Sequence, residues 1–143
     1  MNRDELIHYI SNIRNYELTD IDGKLRLINK NRLEPNHIED KEKSIKWNME
    51  YVDNFNVDLD KQELELSKQR RKLIDNMYDA LYDYLVEYGK GSITRNDAIR
   101  IVRSIPSNDY HFSDGVSITI YLCEDIVNLF IEHKKELDSW NKV

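Results

Sequence analysis

Apolar residues recur along this chain at intervals of three and four, the spacing of helices with one buried face. Leu6, Ile10 and Ile13 share one face of a segment over residues 3–15, with Asp4 and Glu5 in its first turn, where the helix dipole favours acids. Thr19 stands where an N-cap would open a second helix carrying Ile21, Leu25 and Ile28. Gly23 weakens that helix by about 1 kcal/mol relative to Ala. Pro35 ends it, because the residue before a proline is pushed out of the helical region. A third helix is expected from Asn36, with Ile38, Ile45, Met49 and Val52 as its stripe and Trp47 and Tyr51 beside it. Residues 54–58 read as a hairpin connection. The longest pattern follows at about 58–88, where Leu66, Leu73, Met77, Leu81, Leu85 and Tyr88 keep one face apolar. Gly89 and Gly91 then stop the helix.

Ile93 to Ala98 carries the sharpest local signal. Thr94 can cap a fifth helix while Asp97 reaches back to the Thr94 amide, with Ile93 and Ala98 at the staple positions. That helix carries Ile99, Val102 and Ile105 and ends before Pro106, and a loop spans 107–113. From Asp114 to Trp140 two patterns compete. Residues 116–120 alternate like a strand, whereas Ile120, Cys123, Val127 and Phe130 recur like a helix. One long helix is the favoured reading, and a small β-element near 116–121 the alternative. The expected fold is therefore all-α, a bundle of five to six helices around a central helix at about 58–88. Residues 1–57 and 92–140 would pack on it in a single domain.

At 143 residues the chain can close a hydrophobic core. Ile, Asn, Lys, Asp and Tyr are abundant and Ala is scarce, a bias toward AT-rich codons that suggests a low-GC bacterium, its phage or another mobile element. The net charge of −6 disfavours a dedicated nucleic-acid binder, whose affinity comes from neutralising phosphates. The N-terminus MNRDELIHYI has no secretion-signal h-region, no apolar run approaches the ~18 residues of a membrane span, and one cysteine, Cys123, precludes an internal disulfide. A cytoplasmic protein is expected, in the host cytoplasm if phage-encoded.

The charge pattern is most unusual on the long helix. Asp75, Asp79, Asp83 and Glu87 stand one turn apart, fanned opposite Met77, Leu81 and Leu85. Like charges at that spacing cost a helix about 0.2–0.5 kcal/mol per pair. Arg71 can pair with Asp75, but no cation on the same helix serves Asp83 or Glu87. Either Lys24, Arg26 or Lys30 neutralises the stripe from another helix, or the stripe, with Tyr82 at its border, meets a basic partner.

Motifs for other chemistry are weak. Residues 91–97 resemble the second half of a calcium loop, yet Val86, Tyr88 and Lys90 stand where oxygen ligands belong. Cys123 sits in an apolar period with no neighbouring base, His8, His37, His111 and His133 lack ligand spacing, and Asp109-Tyr110-His111 is a short polar triplet in a loop. No cofactor, metal or catalytic role is expected. Residues 81–89, followed by Ser92-Ile93-Thr94 and a short helix, resemble the opening of a winged helix-turn-helix. That resemblance implies DNA binding, with Arg95, Arg100 and Arg103 as the local basic cluster. The next helix would present Asp114, Glu124 and Asp125 to phosphate, which opposes it. The leading expectation is a non-catalytic protein-binding regulator or inhibitor using Asp75, Asp79, Tyr82, Asp83 and Glu87. The competing ones are a DNA-binding regulator and an assembly protein dimerising through Leu73, Met77 and Leu81 of the long helix.

Overall fold

A computed structural model describes residues 1–32, 41–105, 111–112 and 115–141, with the side chains of 41–55 and 137–141 left aside. Among these residues every regular element is helical and no strand occurs. Helix α1 (Arg3–Asn12) passes through a π-helical segment (Ile13–Glu17) into α2 (Leu18–Asn31); α3 is Lys41–Tyr88, α4 Arg95–Ser104 and α5 Val116–Asn141. Because α1, the π segment and α2 run on without a break, the expected five or six helices become four continuous stretches.

Two sequence expectations fail for identifiable reasons. The hairpin connection at 54–58 is absent, since α3 is one helix of 48 residues. Asn54 and Asp58 are mediocre helix formers, but no Gly or Pro interrupts 41–88, and tertiary context overrides so small a penalty. Thr19 is not an N-cap either. Its hydroxyl donates to the Arg14 carbonyl at 3.2 Å, taking up an acceptor where the widened π turn shifts the backbone ladder. The expected start of a helix at Asn36 and the break at Pro35 lie outside the described residues, as do Asp109 and Tyr110. At 116–120 the helix wins over the strand.

The chain divides into two compact units, Met1–Ile13 with Asp75–Val143, and Arg14–Ile74. In the first, α5 packs on α1 and α4. Leu6 and Ile10 of α1, Met77, Leu81 and Leu85 of α3, Ala98 and Val102 of α4, Phe112, and Ile120, Cys123 and Val127 of α5 are all essentially sealed from solvent. Each such aliphatic contributes roughly 1.5–3 kcal/mol relative to exposure. Two capping boxes fix helix starts here. Asn2 and Glu5 exchange side-chain and backbone hydrogen bonds at the head of α1. The expected Thr94–Asp97 box opens α4, with the Asp97 amide donating to Thr94 Oγ1 at 3.2 Å and the Thr94 amide to Asp97 Oδ2 at 2.9 Å. Between α3 and α4 the chain turns through Lys90 and Gly91, both at positive φ, so Gly91 stands where a side chain would strain the backbone. Gly89 is needed for a different reason: a Cβ there would lie 2.7 Å from Ile93 Cγ1.

In the second unit α2 and α3 run antiparallel, held by ion pairs at both ends of α2. Asp22 receives Arg70 at 2.9 Å, and Arg32 reaches both Asp60 and Glu63. Leu18, Ile21 and Ile28 form the buried seam, and Lys24, Leu27, Ile28, Gln62, Glu65 and Leu66 line a shallow apolar groove along it.

Candidate docking face

The acidic stripe occupies the last four turns of α3, opposite the buried Met77–Leu81–Leu85 edge, as its spacing requires. Its counter-ion comes from α4. Arg95 donates through Nη1 to Asp83 and through Nη2 to Asp79, both at 2.6 Å, and its guanidinium lies 5.4 Å from the centre of the Tyr82 ring. The local sequence sets this up. The turn at 89–94 reverses the chain, and the Thr94–Asp97 box fixes α4 so that its first residue, Arg95, points back across α3. At the other end the Met1 ammonium stands 3.9 Å from Glu87. Lys24, proposed as a counter-ion, pairs instead with Asp20 at 3.0 Å, and Arg26 donates to the Asp22 carbonyl.

The tie is partial. Side-chain exposure is 58% for Asp79, 73% for Asp83 and 74% for Glu87, and Asp75 has no ion pair among the described residues. Among the described residues four carboxylates face one guanidinium and one ammonium, which leaves two negative charges unmatched there. Beside them Met1, Tyr9 of α1, and Asp79, Asp83, Tyr84 and Glu87 of α3 line an open cleft of about 460 Å³. Tyr82 is half-buried; burial pushes its hydroxyl pKa up, opposed by Arg103 and Arg95 and reinforced by Asp79 and Asp75.

The residues of the DNA-binding alternative all stand on α4, each in its own surroundings. Arg95 is committed to the carboxylates, Arg100 lies near Asp97, and Arg103 contributes to the field at Tyr82. Ser92-Ile93-Thr94 forms turn and coil, without the strand that a winged helix would place there. Of the residues of the dimer alternative, Met77 and Leu81 lie in the core of the first unit and Leu73 is half-buried.

A buried network escaped the sequence reading. Glu124, counted there as a surface acid, is 3% exposed and accepts two short bonds from Arg3, Nε and Nη2 each at 2.5 Å, and a third from Tyr84 Oη at 3.2 Å. Arg3 also lies 4.8 Å from the centre of the Tyr121 ring. Its bonds to Glu124 hold the Arg3 pKa above the ordinary value, and burial, followed by the Glu124 charge, raises that of Tyr84. Arg3 and Glu124 stand 121 positions apart, so no spacing rule could pair them. Similarly, Tyr78 Oη and His111 Nδ1 meet at 2.7 Å above the buried Phe112, while Thr119 donates to the His111 carbonyl. These bonds tie the segment at 111–112 to α3 and α5. Among the described residues no group of three or more potential ligands could hold a metal, and no helix is long and apolar enough to cross a membrane. Cys123 is fully buried, its thiol pushed up to about 12 by burial and the Glu124 charge.

Comparison with protein-family models, curated proteins and solved structures finds no match to this chain.

Proposed function

We propose that this protein is a non-catalytic regulator that docks the acidic face of α3 on a basic protein surface, such as the nucleic-acid-binding groove of an enzyme. The supporting observation is the α3 face itself: carboxylates at helical-turn intervals, more than half exposed, with two charges unmatched after Arg95 and Met1 are counted. Carboxylates in that arrangement stand in for phosphates, and Tyr82 adds contact area with little entropy to lose. The AT-rich residue bias suits an inhibitor carried by a phage or mobile element and acting in the host cytoplasm.

The carboxylates to reverse are Asp75 and Glu87, because reversing Asp79 or Asp83 would also break the Arg95 tie. At about 0.1 M salt the wild-type chain should retain basic, nucleic-acid-binding proteins from a host extract and release them near 1 M, where the screening length falls to about 3 Å. Asp75→Lys/Glu87→Lys should retain none of them. Equal retention by both proteins would overturn the proposal, as would sequence-specific DNA binding by the free chain in a gel shift. Arg95→Met frees Asp79 and Asp83 and should tighten the same interaction.

A further inference from the structure

We propose that the outer face of α5 is a second docking surface, for a basic amphipathic helix of a partner protein. Ile118, Leu122 and Leu129 are 59%, 40% and 64% exposed, although all three lie on a well-formed helix whose other side is sealed by Val116, Ile120, Cys123 and Val127. Isolated exposed leucines are ordinary on protein surfaces. These three are not isolated: intervals of four and seven put them on one stripe, and the half-buried Ile126 continues it toward the core. From Ile118 to Leu129 the stripe runs about 16 Å at 1.5 Å per residue, three turns, the reach of the i, i+4, i+7, i+11 anchors of a docked helix.

Charge selects the occupant. Asp125 and Glu132 are exposed along the same side of α5, and residues 104–133 contain no Lys or Arg. Arg3, which lies over the neighbouring Tyr121, is committed to Glu124. A second copy of this chain would bring another Asp125 and Glu132 against the first pair, with the nearest cations of α5, Lys134 and Lys135, beyond the end of the stripe and Lys134 turned to the Ser92 carbonyl, a like-charge arrangement that costs affinity. A helix with leucines on one face and lysines or arginines beside them satisfies both the stripe and its acids. This surface is separate from the carboxylates of α3 and goes beyond the function proposed for them.

The probe is a fluorescently labelled synthetic helix with leucines at i, i+4, i+7 and i+11 and lysines at the flanking positions, titrated with the full chain and read by anisotropy. A twin peptide carrying glutamates for the lysines is the control. The lysine peptide should bind and the twin should not. Leu122→Ser/Leu129→Ser should weaken binding by at least about tenfold, and Asp125→Lys/Glu132→Lys should weaken it and flatten its salt dependence. Leu129→Ser alone, at the most exposed of the three positions, gives a reading that does not depend on the core. Asp75→Lys/Glu87→Lys should leave peptide binding intact, which separates this surface from the α3 face. Binding of both peptides alike, or undiminished binding to the serine variants, would overturn the proposal. So would a dimer in sedimentation that the same serines dissociate, since the occupant would then be a second copy.

Discussion

Replacing Arg95 with methionine removes one guanidinium that holds two carboxylates and covers one aromatic ring, and the structure sets the size of the effect. Each ion pair is about half exposed, so each is worth about 0.2–1 kcal/mol, not the several expected of a buried pair. The contact with Tyr82 adds about 0.5–1 kcal/mol. Asp79 and Asp83, one turn apart on α3, would then repel each other by a further few tenths. The contributions share a single side chain whose ordering entropy is lost once, and methionine keeps part of the packing on Tyr82. The total comes to about 1–2 kcal/mol, or a urea midpoint lower by roughly 0.5–1 M for a protein of this size. Most of it is Coulombic, so the loss should shrink at about 1 M salt, where screening acts over about 3 Å. In an Asp79→Asn/Asp83→Asn background the same replacement should cost only about 0.5 kcal/mol, what remains of the ring contact. A loss above about 3 kcal/mol, or one insensitive to both salt and the asparagine background, would refute the description of Arg95 as an exposed electrostatic tie. So would no loss at all.

Other expectations follow from the same geometry. Thr94→Ala removes the cap that starts α4 and should cost about 1 kcal/mol in urea unfolding. The hydrogen bond from the Thr94 amide, more than any charge, holds the Asp97 carboxyl below the usual carboxylate range; its contribution is therefore present above that range and is lost as pH falls through the lowered value, so Asp97→Asn should flatten the acid limb of the stability curve. Phe112→Ala empties a fully buried ring site beneath Tyr78 and should cost about 3–5 kcal/mol by chemical denaturation. The Cys123 thiol, pushed up to about 12, should resist alkylation of the native protein at pH 8 and react at the rate of unfolding; prompt labelling of folded protein would contradict its burial.

Residue order alone was enough for the all-helical class, for the cap at Thr94 and for the outward direction of Asp75, Asp79, Asp83 and Glu87, because period, capping and helical angle are properties of a few neighbouring residues. The same locality misled at Thr19 and at 54–58. There a polar residue or a short polar run looked like an end, yet nothing in the backbone forbade continuation, and α3 ran through. What the carboxylates face was decided only by tertiary structure. Arg95 lies 12 and 16 residues from Asp83 and Asp79 and reaches them because the turn at Gly91 folds α4 back on α3. Arg95, which the sequence assigned to a rival function, thus turns out to be the ion-pair partner of Asp79 and Asp83. Glu124 makes the same point more strongly. In the sequence it is one acid in a stretch without cations; in the fold it is buried against Arg3 and Tyr84, since a carboxylate can leave water only where a distant cation and hydroxyl meet it.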